Sequence, residues 1–136
     1  MRISTKGRYG LAVMVALAQK KINSSVSDIA NHLGLSKIYL EQVFTLLKRA
    51  NLIVSQKGSG GGYSLAESPK NISAYAILLA TESALFESAE LNPISTTESA
   101  LHAKVWQPMD TLLQDFLSDI TLESLIEQNA ADMFYI

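Results

Sequence analysis

The feature that most constrains this chain lies around Gly34. Two short amphipathic stretches flank it, with Ile29, Ala30 and Leu33 on the first and Leu40, Val43, Phe44 and Leu47 on the second. Ser25 or Ser27 can cap the first stretch, Gly34 can terminate it, and Ser36 can open the next helix, which is predicted to run to about Ala50. Two helices that cross steeply over so short a turn need three things. These are a small residue at the crossing, a flexible residue in the turn, and branched apolar residues on the inner face of the second helix. Ala30, Gly34, Leu40 and Val43 supply them at the expected spacing, so the segment reads as a helix–turn–helix. An ordinary helical hairpin with a solvated polar face has the same periodicity, and spacing alone leaves both open.

The opposite face of the second helix carries Lys37, Ile38, Glu41, Gln42, Thr45, Lys48 and Arg49. Gln42 has the chemistry to pair bidentately with adenine, and Glu41 can accept from the cytosine amino group. Lys37, Lys48 and Arg49 suit phosphates. An extended segment from Leu52 to Gln56 follows, then Lys57-Gly58-Ser59-Gly60-Gly61-Gly62, then a short strand from Tyr63 to Leu65. Helix, strand, glycine-rich tip and strand is the order of a winged helix. Lys57 would then enter the minor groove or hold phosphate, while Gly60 and Gly61 let the backbone approach closely. A nucleotide-binding loop is excluded, because no Lys-Ser/Thr follows the glycines and no helix opens after them. A plain flexible turn remains the alternative.

Around this centre the pattern is mostly helical. A first helix is expected from Ser4 or Thr5 to Lys20, with Leu11, Met14, Val15 and Ala18 in one stripe. A fourth, capped by Ser73, runs through Glu82; residues 83–95 are acidic and irregular, with Asn92-Pro93 as a breaker. A long helix from about Thr97 to Ser118 contains Pro108, which predicts a kink or a helix restarting there, and a short helix covers Leu122 to Gln128. Leu101, Val105, Met109, Leu112, Phe116 and Ile120 form a stripe on the long helix, suited to a dimer partner or to a core; Trp106 reads as a packing residue. The expected fold is mainly α with a small β-hairpin wing: a winged helix–turn–helix over 1–82, then an acidic effector segment with C-terminal dimerisation helices over 83–136.

The formal net charge of −2 hides a sharp division. Residues 1–70 hold ten Lys/Arg and three acids, a formal +7, and residues 71–136 hold one base and ten acids, a formal −9. One half suits a polyanion and the other stays away from phosphates, although surface charge also segregates by chance. With no cysteine the chain has no disulfide, no thiol catalysis and no thiolate ligand for zinc or an iron–sulfur cluster. His32 and His102 lack a companion nucleophile or metal set, and Glu87, Glu90 and Glu98 read as solvated. No enzyme, metal or cofactor is expected. The start reads as helix rather than signal peptide, and no apolar stretch spans a bilayer, so a cytoplasmic protein without membrane partners is expected.

Three motifs stand in the order of a known family: Arg2-Ile3-Ser4-Thr5-Lys6-Gly7-Arg8-Tyr9, Tyr39-Leu40-Glu41-Gln42 and Gly60-Gly61-Gly62-Tyr63. Over residues 1 to about 82 the chain resembles the IscR/CymR-type (Rrf) family of winged-helix transcriptional regulators. The resemblance implies a homodimer on a partly palindromic operator in double-stranded DNA, with the second helix of the pair in the major groove and the wing in the minor groove. It places Ser36, Glu41 and Gln42 among the recognition contacts, and brings in Arg2, Lys6, Arg8 and Tyr39 with their motifs. Lys57 stands where relatives often carry arginine, which keeps the charge and loses the planar fork. Ile38 stands where some relatives place a polar contact residue, leaving base preference open.

Several members of that family hold a cluster through three cysteines ahead of the long helix. Here the stretch from about Phe86 to Leu101 has none, and His102 alone cannot hold one. The chain is most similar to the cysteine-metabolism repressors of the family (CymR type), in its opening motif and in Met133-Phe134-Tyr135-Ile136. That likeness implies control through cysteine synthase in a complex responsive to O-acetylserine, with Phe134, Tyr135 and Ile136 as the docking end. A terminus that packs on the dimer is the alternative. Two rival functions also stay open: a regulator that senses redox state or a metabolite directly, and an interaction module that no longer binds DNA.

Overall fold

The computed structural model describes residues 2–20, 22–83, 85 and 95–126. Its elements are α1 (Thr5–Lys20), α2 (Val26–Leu33), α3 (Lys37–Arg49), β1 (Ile53–Gln56), β2 (Gly62–Leu65), α4 (Ala74–Thr81), α5 (Thr96–Leu101) and α6 (Gln107–Ser118), with a 3-10 turn at Pro69–Asn71. Residues 122–126 are again helical.

Local chemistry sets most boundaries. Ser25 rather than Ser27 caps α2: its hydroxyl accepts from Asp28 N at 3.0 Å while the Asp28 carboxylate accepts from Ser25 N at 3.1 Å. Hydrogen bonding to the Asp28 carboxyl from the Ser25 backbone N–H, and then from the Ser25 hydroxyl, holds it below its ordinary value. Gly34 ends α2 at φ 69°, and a Cβ there would meet nothing within 4 Å. The glycine therefore answers a left-handed backbone and not a shortage of space. Ser36 and Ser73 cap α3 and α4.

The core joins every part of the head. Val13, Met14 and Leu17 of α1, Ile29 of α2, Leu40, Val43, Phe44 and Leu47 of α3, Ile53 of β1, and Ile72 and Ile77 form one buried cluster. Leu122 belongs to the same cluster and is fully buried. The backbone that carries it returns to the head: Leu122 N donates to Ile72 O at 2.8 Å, and Ala74 N donates to Ile120 O at 2.8 Å. The head is thus completed by residues that follow the long helix.

The hairpin pairs antiparallel in the register Ile53↔Leu65, Val54↔Ser64, Ser55↔Tyr63 and Gln56↔Gly62, one residue later at its start and one earlier at its return than the sequence suggested. The long helix starts at Thr96, on the cap Ser95, and its last α-helical part restarts at Gln107 with Pro108 in its first turn, one of the two forms expected of it. A π turn over His102–Trp106 joins α5 to α6, with Gln107 N donating to His102 O. Pro108 has no N–H to offer the carbonyl four residues back, and the widened turn just before it absorbs the mismatch without breaking the rod. Trp106 lies on this turn and is half exposed, so it does not pack into the described part of the chain.

Candidate nucleic-acid interface

The exposed face of α3 is built from inside outward. The inner stripe of α3 is almost fully inaccessible, which fixes the helix's rotation about its axis. That rotation leaves Lys37, Ile38, Glu41, Gln42, Thr45, Lys48 and Arg49 exposed together, as the periodicity required. Ile38 is 75 % exposed, an apolar side chain in the middle of a polar face. Ser36 serves the helix itself, its hydroxyl accepting from Tyr39 N at 3.5 Å, and its own proton has no acceptor among the described residues. Thr45 is less free than its spacing suggested: its hydroxyl donates to Glu41 O at 2.8 Å, leaving lone pairs and a methyl group outward. Lys48 and Arg49 close the helix at its negative end.

The basic N-terminus lies against this helix. Tyr39 is half-buried and meets Tyr9 of α1 edge-on, with ring centroids 5.3 Å apart and planes at 85°. Arg2, Lys6 and Arg8 are exposed, and Arg8 Nε donates to Ile3 O at 3.3 Å. Glu82, beyond the end of α4, reaches back 78 positions: its Oε1 accepts from both Ser4 N and Ser4 Oγ at 2.8 Å. Ser4 Oγ in turn accepts from Gly7 N at 3.2 Å, so Ser4 is the cap of α1 and Glu82 clamps the cap. A cleft of about 480 Å³ opens beside them, lined by Ser4, Lys6, Tyr39, Leu46 and Glu82 among others. The clamp escaped the sequence reading, since no local spacing marks a contact between residues so far apart.

The wing is positioned from two sides. Phe44 on the inner face of α3 meets Tyr63 edge-on at 4.8 Å. On the other side the α1–α2 connection adds an isolated antiparallel bridge: Ser24 N donates to Tyr63 O at 2.9 Å and Tyr63 N to Ser24 O at 2.7 Å. Gly62, at φ 146°, makes that contact possible, because a Cβ would lie 2.7 Å from the Ser24 carbonyl carbon. Gly61 N donates to Gly58 O at 2.9 Å, and Gly61 is packed so tightly on the Gln56 and Gly58 carbonyls that it has no room for a Cβ. Gly60 is exposed. The glycines therefore shape the wing's own backbone, and Lys57 on it is exposed. Asn23 ties into the same region: its Nδ2 donates to Gln56 Oε1 at 2.6 Å and reaches Gly60 O at 3.4 Å. Neither Asn23 nor Gln56 stood out in the sequence, where a lone polar residue before Ser-Ser looks like ordinary loop.

On the long helix, Leu101, Val105, Met109, Leu112 and Phe116 are all exposed, the last two by 70 % and 65 %. The expected stripe exists and is not turned to the core. Its steps of four across residues 101–109 fit the π turn, in which each turn holds more than four residues and side chains four apart stay nearly in line. Ile120 is half-buried instead. His102 lies in the π turn with Nδ1 buried and unpaired among the described residues. Phe134, Tyr135 and Ile136 lie outside the described residues, as does most of 83–95, including Glu87 and Glu90. No described helix is long and apolar enough to cross a membrane.

A family model described as "Rrf2: Iron-dependent Transcriptional regulator" matches residues 3–128. The HTH-type transcriptional regulator CymR of Bacillus subtilis is 36 % identical over the full length of both chains. The HTH-type transcriptional regulator IscR of Vibrio atlanticus is 31 % identical, over 95 % of this chain and 77 % of its own. Among solved structures, CymR, the global cysteine regulator of B. subtilis, superposes with a TM-score of 0.76 at 34 % identity, covering 94 % of this chain and 98 % of its own. T. potens IscR gives 0.74 at 33 % identity, covering 95 % and 88 %. These relatives are regulators and not enzymes. The iron dependence in the family description finds no fitting ligands among the described residues. The chain offers no thiolate, and the described residues hold no group of three His, Cys, Asp or Glu suited to a metal. With a mostly helical head, a glycine-tipped antiparallel hairpin and relatives matching along its whole length, the chain belongs to the Rrf2 family of DNA-binding transcriptional regulators.

Proposed function

We propose that the chain is a homodimeric, sequence-specific repressor of cysteine and sulfur metabolism genes, with residues 1–82, completed in its core by Leu122, as the DNA-binding unit and the rest of 83–136 as the effector and dimerisation segment. One observation carries the DNA part: a helix rotated by a buried stripe so that Glu41, Gln42 and three cations face outward, beside a wing that exposes Lys57. Gln42 and Glu41 read base edges in the major groove, and the exposed Ile38 suits a thymine methyl group. Ser36 and Thr45 flank these contacts; Lys37, Tyr39, Lys48, Arg2, Lys6 and Arg8 hold the backbone, and Lys57, Gly60 and Gly61 bring the wing to the minor groove. The apolar stripe Leu101, Val105, Met109, Leu112 and Phe116 is too large and too continuous for a solvated face, and a second copy is its natural cover.

The physiological part rests on likeness to CymR along the whole chain, which is named a global cysteine regulator in B. subtilis. Control then passes through a cysteine synthase that grips Phe134, Tyr135 and Ile136, in a complex that responds to O-acetylserine. The test is footprinting of genomic fragments captured by the protein. Protection upstream of sulfur-assimilation genes, lost steeply as salt rises, is the expected result. Capture of unrelated sites would overturn the cysteine reading, and absence of any specific protection would overturn DNA recognition itself. Deleting residues 133–136 is expected to abolish the enzyme complex and leave the footprint intact; an unchanged complex refutes the docking role.

A further inference from the structure

The wing carries an amide whose orientation is fixed from behind. The Asn23 carboxamide meets two acceptors, Gln56 Oε1 at 2.6 Å and the Gly60 carbonyl at 3.4 Å. A backbone carbonyl can only accept, so the Asn23 atom facing Gly60 must be its nitrogen. That nitrogen faces Gln56 as well, which requires the Gln56 oxygen on the inner side of the pair. The Gln56 NH2 group is then left with no acceptor among the described residues, on an exposed side chain that adjoins Lys57 at the wing tip. Left to itself, an exposed glutamine presents either end of its amide. Here Asn23, through the Gly60 carbonyl, selects the donor end.

We propose that Gln56 is a base-reading residue of the wing, and that Asn23 is a positioning residue that fixes which end of its amide meets the DNA. The inference rests on the DNA-binding reading above and adds to it a specificity for A·T pairs under the wing. In the minor groove A·T pairs present only acceptors, adenine N3 and thymine O2, whereas a G·C pair adds the guanine amino donor. A fixed NH2 group is complementary to the first pattern and collides with the second. Lys57 beside it supplies attraction to the groove without choosing between base pairs.

The experiment uses the full chain and a duplex that the unaltered protein selects from a random pool, prepared with A·T or with G·C pairs in the wing-protected steps. Affinities are read by fluorescence anisotropy at fixed salt, and circular dichroism verifies each variant's fold. The unaltered protein is expected to prefer the A·T duplex, by about tenfold for one good minor-groove donor. Gln56→Ala is expected to erase the preference by weakening the A·T duplex and relieving the collision on the G·C duplex. Asn23→Ala is expected to reduce it, and to have no further effect in a Gln56→Ala background, because Asn23 acts through Gln56. A preference that survives Gln56→Ala, an equal loss on both duplexes (a phosphate contact), or additive effects of the two substitutions each overturns the proposal while leaving DNA binding in place. If the unaltered protein selects no duplex, the DNA-binding reading fails first, and the inference falls with it.

Discussion

Replacing Leu122 with alanine removes three buried carbon atoms, Cγ, Cδ1 and Cδ2, at the point where the chain's late segment enters the head. Leu122 has no exposed surface and lies in the cluster with Ile72 and Ile77. Burial of a leucine side chain contributes about 2 kcal/mol, and the cavity left by truncation adds roughly 1–2 kcal/mol more, since helices on both sides limit collapse. The expected loss is therefore about 3–4 kcal/mol. With an unfolding entropy of roughly 2 cal/mol/K per residue, a chain of 136 residues is expected to melt about 10–14 °C lower. The assay is thermal unfolding followed by circular dichroism and calorimetry, at one protein concentration because dimer dissociation also moves the midpoint. A single transition displaced by that amount means that residues 120–122 are structural members of the head. A shift below about 3 °C, or a separate low-temperature transition for the late segment alone, would refute the reasoning.

Three other outcomes are expected. Gly62→Ala forces a Cβ against the Ser24 backbone and demands φ near 146° of an L side chain, so it should break the Ser24–Tyr63 bridge and lower DNA affinity in binding titrations. Lys57→Ala should weaken binding to all duplexes alike and reduce the slope of affinity against salt by about one phosphate contact. The depressed Asp28 carboxyl contributes stability that is present above its ordinary value of 3.8 and is lost as pH falls through its lower folded value. In pH-dependent melting the advantage of the unaltered chain over Asp28→Asn should therefore vanish at acid pH; an advantage that grows on acidification would reverse the assignment.

The head was legible because its signals are local. Serine caps, the glycine after α2 and stripes at helical spacing each need only a few neighbouring residues, and Ser36, Gly34 and the inner face of α3 fell where they pointed. The wing's position was legible too, from glycines between short apolar runs. What escaped depends on distant partners. Glu82 reads as one more acid in an acidic half until Ser4 is placed against it, and Asn23 reads as loop until Gln56 is. Leu122 looked like part of a separate short helix, because apolar periodicity does not say which core a residue joins. Pro108 marked where the helix restarts, and only the π turn just before it was hidden, since such a turn leaves no mark in the sequence that a kink would not.

The wing's four glycines also set where this protein can drift. Gly58 and Gly60 stand at φ 96° and 80°, and Gly61 and Gly62 have no room for a Cβ, so none of the four can acquire a side chain cheaply. From residue 56 to 62, only Gln56, Lys57 and Ser59 remain open to change. A lineage that comes to prefer different DNA beneath the wing has an alphabet of three positions to write with, and every other novelty must arise on α3.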